Sequence, residues 1–181
     1  FMDLTREEAF LDCGADNGDT IRDFLKITNG EYSSIYAFEP DEINYGRLEV
    51  MTEELGLHDV RLVKAGSFDR VTKLKFSGGT GMYSQIDDRG KMEIDTDTID
   101  NVVGDKNCTL IAMDVEGAEM PSLNGARETI LRCHPKLAIS AYHKRDDIFV
   151  IYDYIKSIHS DYRFYFRMHK ALPIDAVLYA V

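Results

Sequence analysis

The feature that most narrows the fold is an alternation. Runs rich in apolar and β-branched residues at 9–13, 34–38, 60–65, 109–114 and 136–141 read as strands. Between several of them lie helical stripes: Ile21, Phe24, Leu25 and Thr28; Tyr45, Leu48, Met51 and Leu55; Leu123, Ala126 and Ile130; Ile148, Ile151, Ile155 and Ile158. Parallel strands need crossover connections, and helices are the usual ones, so the pattern predicts a doubly wound, Rossmann-like α/β sheet that is mostly parallel. Two stretches depart from it. Residues 163–168 and 176–181 are strand-like and joined by a short loop with Pro173, which predicts an antiparallel C-terminal hairpin at the sheet edge. Residues 71–94 carry Gly78, Gly79, Gly81 and Gly90 between short alternating runs, which predicts a β-hairpin insertion in place of a helix.

In such sheets ligands bind beyond the carboxyl ends of the strands. The first strand ends in FLDCGADNGDTIRDFL, Phe10 to Leu25. A dinucleotide fingerprint starting at Gly14 would need glycine where Asp16 and Asp19 stand. A pyrophosphate would also meet Asp12, Asp16 and Asp19, with no basic residue before Arg22. A ligand with a cationic end suits this loop better. S-adenosylmethionine carries a sulfonium and an ammonium, no phosphate, and one carboxylate that helix N-terminal N–H groups can hold. Gly14 and Gly18 let the main chain come close to it. The second strand ends in Ala37-Phe38-Glu39-Pro40, which places a carboxylate where it can accept hydrogen bonds from both ribose hydroxyls.

The rest of the composition sets bounds. A chain of 181 residues with 44% hydrophobic content predicts one domain over 1–181. It opens Phe1-Met2 a few residues before the first strand, which suits the C-terminal part of a longer protein. With 21 basic against 32 acidic residues the formal charge is −11, which argues against nucleic acid and anionic membrane as partners. Cys13, Cys108 and Cys133 are odd in number and lack CxxC spacing, as expected of reduced thiols in a cytoplasmic protein. Neither a signal peptide nor a run of some eighteen apolar residues is recognisable.

LDCGADNGDTIRDF, IYAFEPD, LIAMDVEGAEM and PKLAISAYHKRDDIF, in that order, resemble the FkbM family of S-adenosylmethionine-dependent methyltransferases. The resemblance runs from about Phe10 to the chain end, and DVEGAE is its most specific part. It implies a class I methyltransferase fold of seven strands with the last antiparallel, and transfer of a methyl group to a hydroxyl of a sugar or other small molecule. Carried onto this chain, it implies a cofactor loop of Asp12, Gly14, Ala15 and Gly18, with Glu39 on the ribose. Thr20, Pro40, Gly66 and Ser67 complete the expected cofactor set, the last two lying after the third strand, where this fold usually meets the adenine.

Asp114-Val115-Glu116-Gly117-Ala118-Glu119 follows the fourth strand, and the helix is expected to start near Pro121. Methyl transfer from a sulfonium needs the acceptor oxygen aligned and its proton removed. Asp114 and His143 are the candidate bases, with Glu116 beside them. Asp114, Glu116, Glu119 and His143 also suit magnesium or manganese, but their spacing is no recognised ligand pattern, so a metal is not favoured. The alternative reading is a catalytically silent S-adenosylmethionine-binding module. Such a module should have lost the DVEGAE carboxylates, and here all are present.

Overall fold

The computed structural model describes residues 2–77, 85–86, 92–169 and 175–181. In chain order they form β1 (Ala9–Cys13), α1 (Asp19–Ile27), β2 (Ser34–Phe38), α2 (Glu42–Glu54), β3 (Val60–Val63), β4 (Gly66–Ser67), β5 (Thr72–Ser77), β6 (Gln85–Ile86) and β7 (Met92–Asp97). There follow α3 (Ile99–Val103), β8 (Leu110–Met113), α4 (Glu119–Asn124), α5 (Arg127–Cys133), β9 (Lys136–Ser140), α6 (Asp147–Ile158), β10 (Phe164–Met168) and β11 (Ala176–Ala180).

The main sheet has the order β10-β11-β9-β8-β1-β2-β3. β1 pairs in parallel with β2 on one side and β8 on the other, and β11 runs antiparallel to both β9 and β10. Strand order therefore reverses at β1, and the crevice opens at the carboxyl ends of β1, β2 and β8. Side chains alternate across the sheet as a period of two requires. Leu11, Cys13, Tyr36, Phe38, Ile111 and Met113 pack on the face covered by α3, α5 and α6, with Ile130, Ile151 and Ile155 among the covering residues. Phe10, Ile35, Ala37 and Leu110 pack on the other face under α1 and α2, which contribute Ile21, Phe24, Leu48 and Met51. Complete burial of each large aliphatic or aromatic side chain is worth about 1.5–3 kcal/mol, so the two clusters fix the layers on either side of the crevice.

The mostly parallel sheet and the antiparallel C-terminal strand match expectation, with three refinements. The third strand stops at Val63, and Gly66–Ser67 instead pairs in parallel with β7. The insertion is a second sheet of order β4-β7-β5-β6, in which β5 and β7 are antiparallel. Its glycines Gly78, Gly79, Gly81 and Gly90 lie outside the described residues, as does Pro173. The helix expected near Pro121 is two helices. It starts earlier, at Glu119, and breaks at Gly125, where an added Cβ would lie 1.9 Å from the Phe68 carbonyl oxygen. Asp100 then caps the second piece by accepting from the N–H groups of Thr129 (2.7 Å) and Glu128 (3.1 Å). No helix among the described residues is long and apolar enough to cross a membrane.

Below the sheet, at the amino ends of its strands, Glu8 joins three segments. Its buried carboxylate accepts from the Thr5 N–H at 2.9 Å and from Lys136 Nζ at 2.6 Å, and it also takes the Thr109 hydroxyl. Burial alone would raise this carboxyl, but the bonds from Lys136 and Thr109 outweigh it and hold it below its ordinary value. Removing one partner of a buried ion pair is costly, so Glu8→Ala should lower unfolding free energy by about 2–4 kcal/mol at pH 7. Because the folded pKa is depressed, this stabilisation is complete above the unfolded value of about 4.3 and fades as pH falls through the lower folded value. Urea unfolding should show the gap between wild type and variant narrowing in acid; equal stability at pH 7 would refute the role.

Candidate active site

The loop leaving β1 folds over the end of β2. The N–H groups of Gly14 and Ala15 both donate to the Phe38 carbonyl, at 3.1 and 3.0 Å. Gly14 has φ 82°, and an added Cβ would sit 2.0 Å from the Asp114 carbonyl oxygen. Gly18 has φ 80°, and its Cβ would sit 2.6 Å from Met51 Cε. Both glycines are thus demanded by protein contacts, the first with the loop after β8 and the second with α2. Ala15 is fully buried and turns its methyl into the core, so it can offer a ligand only backbone. Thr20 is exposed on the first turn of α1, and Pro40 is half-buried after Glu39.

Glu39 is 5% exposed and fastens the crevice wall. One oxygen accepts from the Asp16 N–H and the other from the Asp41 N–H, each at 2.8 Å. Asp16 sits at φ 44°, an uncommon region for a residue with a side chain, and the Glu39 bond holds it there. Each carboxylate oxygen has a second lone pair, so the bonds leave acceptor capacity.

Asp12, at the end of β1, is 2% exposed, and its Oδ2 has no hydrogen-bond partner. Burial first, then the charges of Asp19, Asp114 and Glu39, push its carboxyl up to about 8. Gly66 and Ser67 lie in the second sheet, paired with Thr96 and Asp97. The Ser67 and Ser122 hydroxyls are 2.8 Å apart and buried, and Ser122 also donates to the Ser67 carbonyl at 2.7 Å. Ser67 is thereby engaged in fastening β4 to α4.

Across the crevice, DVEGAE turns sharply. Glu116 has φ 53° and Gly117 φ 92°, two consecutive left-handed residues, and strain of this kind gathers at functional sites. The turn carries Asp114 and Glu116 outward and swings Glu119, 1% exposed, inward beneath them. Glu119 Oε1 accepts from the N–H groups of Val115 (3.2 Å) and Gly117 (3.3 Å). His143, on the loop after β9, lies between the three acids. Its Nδ1 is 2.9 Å from Glu119 Oε1, and its Nε2 is 3.2 Å from Glu116 Oε2 and 3.5 Å from Asp114 Oδ1. Burial would lower the imidazole, but Glu119 and then Asp114 and Glu116 outweigh it and raise it above its usual value. Tyr142 donates its hydroxyl to both Asp114 oxygens at 3.2 Å. Burial and Asp114 together hold that phenol strongly protonated.

The fold thus brings Asp114, Glu116 and His143 together at one mouth, with Asp12 and Glu39 along the same edge. Thr20 and the Ser67 hydroxyl are not directed into that group. Glu119, which the sequence offers either as a helix cap or as one of four possible metal ligands, is buried against His143, while Tyr142, one tyrosine of ten, carries no distinctive sequence signal.

The profile of the methyltransferase FkbM domain matches residues 12–169. Among solved structures, the chain is similar to the FkbM methyltransferase of Methylobacillus flagellatus, with a TM-score of 0.86 and 29% identity over 100% of this chain. The chain spans 45% of that protein's length. An rRNA methylase from Streptococcus thermophilus aligns at TM-score 0.62 and 16% identity, over 98% of this chain and 87% of its own. A methyltransferase from Streptococcus mutans in complex with SAH (S-adenosylhomocysteine) aligns at 0.61 and 11%, over 98% and 91%. These last two likenesses speak for the fold alone. No curated protein matches the chain.

Two substitutions probe the crevice. Gly14→Val would drive a side chain into the Asp114 carbonyl, so it should cost stability, by roughly 2 kcal/mol or more, as well as SAH binding. A valine variant of wild-type stability in thermal unfolding would contradict the contact. Glu39→Ala should weaken SAH binding by about 1.5–3 kcal/mol in calorimetry, since it removes a charged acceptor. Unchanged affinity would remove Glu39 from the ribose.

Proposed function

The chain belongs to the FkbM methyltransferase family, and we propose that it transfers a methyl group from S-adenosylmethionine to a hydroxyl oxygen of a small molecule or sugar. The observation that carries the cofactor reading is Asp12, a buried acid with an unpartnered oxygen among Asp19, Glu39 and Asp114. A cationic ligand offsets that arrangement, whereas a phosphate aggravates it. Asp12, the main chain at Gly14, Ala15 and Gly18, Thr20, Glu39, Pro40, Gly66 and Ser67 are the proposed cofactor contacts. Bound there, S-adenosylmethionine supplies an electrophilic methyl group already activated by its sulfonium.

What this chain's residues add is alignment and proton removal. Asp114 and His143 flank the acceptor, and its proton passes to the group formed by Asp114, Glu116 and His143. Tyr142 keeps the Asp114 carboxylate oriented, and Glu119 supports His143 from below. An acid mouth on a chain of charge −11 favours a neutral or cationic acceptor over a nucleic acid. Cys13, Cys108 and Cys133 are free thiols, which supports a cytoplasmic location.

Asp114→Asn keeps the shape and removes the charge. It should bind SAH within a few-fold of wild type and lose methyl transfer from labelled S-adenosylmethionine by about 10²–10⁴-fold. Near-wild-type turnover would sink the assignment.

Asp12 makes cofactor affinity depend on pH. Without ligand its carboxyl ionises near 8, and the cationic ligand prefers the ionised form, so binding below that pH must release a proton. Affinity for S-adenosylmethionine should rise by up to about tenfold per unit as pH approaches 8, then level off. SAH shares the amino group but lacks the sulfonium, so its slope should be shallower. Parallel slopes for the two ligands would exclude Asp12 as the group that reads the sulfonium.

A further inference from the structure

We propose that Asp114, Glu119 and His143 form a binding site for one divalent cation of the manganese or zinc type. Their sequence spacing matches no ligand motif, yet the fold gathers them: one donor atom from each lies within 4.8 Å of the others. Ligands on opposite sides of one ion stand about 4.4 Å apart at bond lengths near 2.2 Å, so small side-chain rotations would bring all three onto a common centre.

An acidic cluster alone would not suffice, and the independent observation is the histidine. The His143 side chain is 7% exposed, and neither ring nitrogen has a hydrogen-bond partner. Nδ1 is only 2.9 Å from Glu119 Oε1, so distance is not the obstacle. The oxygen lies off the direction in which a ring N–H would point. A buried imidazole whose two nitrogens face carboxylate oxygens at 2.9–3.5 Å without an aligned hydrogen bond is a ready ligand.

Glu119 shows the complementary defect. Its Oε1 is held by the Val115 and Gly117 N–H groups, while the buried Oε2 has no partner. One oxygen anchors the carboxylate and the other is left to coordinate. Asp114 is anchored in turn by Tyr142. Ligands oriented by outer hydrogen bonds are what metal sites require.

Charge points the same way. Asp114, Glu116 and Glu119 gather three negative charges against at most one on His143. Lys144, the neighbouring base, spends its ammonium on the Gly117 carbonyl. One imidazole with two carboxylates suits manganese or zinc better than calcium or magnesium, which favour all-oxygen sets. Three protein ligands also leave a position open for an exogenous oxygen. Resting on the transfer reading above, that oxygen is the acceptor's. The cation holds it and makes its proton more acidic, and Glu116, outside the ligand set, receives the proton.

Calorimetry of the chelator-treated chain with manganese chloride and with zinc chloride tests the site. The expected result is binding of either ion at one per chain, weakened at least tenfold by Asp114→Asn, by His143→Gln and by Glu119→Gln, with folding checked by circular dichroism. Asp114 is half exposed, so its variant should stay folded even if Glu119→Gln does not. Asp12→Asn, in the cofactor crevice, should leave ion binding unchanged. No binding of either ion at 1 mM to a chain that still binds SAH overturns the site. So does binding that all the ligand variants retain, which would mark an adventitious ion only. Ion binding without any methyl transfer would leave the site standing and count against the function. Transfer undiminished after the ion is stripped would overturn its part in activating the acceptor while leaving the function intact.

Discussion

The close approach on which the site's geometry depends is between two loops that are distant in sequence. Gly14 packs so tightly on the Asp114 carbonyl that no side chain fits between them, and the Asp114 N–H donates to Cys13 at 2.9 Å. The ends of β1 and β8 are therefore one rigid unit. In the proposed reading, the acceptor side is positioned by Asp114 and the cofactor side by the loop containing Gly14. Glu39 then ties that loop to the start of α2. Reacting groups must be placed to well within an ångström, and a direct packing contact with a backbone hydrogen bond beside it limits how far these two strand ends can shift.

The strands and layers were legible because each run is apolar, short and bounded, and the alternation leaves few topologies. What escaped the sequence is tertiary. The break between α4 and α5 follows from the approach of Gly125 to Phe68, which local propensity cannot show. The second sheet arises because Gly66 and Ser67 leave the main sheet to pair with Thr96 and Asp97. Strand-end positions in sequence anticipated that Asp12, Glu39 and Asp114 would lie near one another, since the fold class itself says where carboxyl ends meet. Glu119 reads in sequence as a possible ligand, but its burial was not legible, because an acid in the first turn of a helix normally faces water. Two left-handed residues just before it reverse that direction. Gly18 and Ser67 look like ligand contacts in sequence, yet their nearest neighbours here are Met51 and Ser122.

The crevice has two acidic centres with different character. Around Asp12 the acid is buried, is pushed up to about 8, and has one idle oxygen; around Asp114 it is partly open and shared with an imidazole. The first centre suits a ligand whose positive charge is permanent. The second suits one whose charge is exchanged during the reaction, or an ion that stays in place. A single fold can offer both because β1 and β8 are neighbours whose ends point to the same side. In the proposed function, the methyl donor and the acceptor are handled by adjoining strands.

The idle oxygen of Asp12 has a thermodynamic meaning beyond recognition. A buried carboxyl crowded by like charges and with one unpartnered oxygen opposes folding, since the unfolded chain would hydrate it freely. Selection for folding alone would replace it with a neutral or apolar side chain at that depth in the sheet. Its presence makes the crevice a local reserve of instability, which the proposed cationic cofactor would discharge, coupling ligand and fold through a single side chain. Function is here written into the sequence as a stability defect, in the place where a core position could have been made more comfortable.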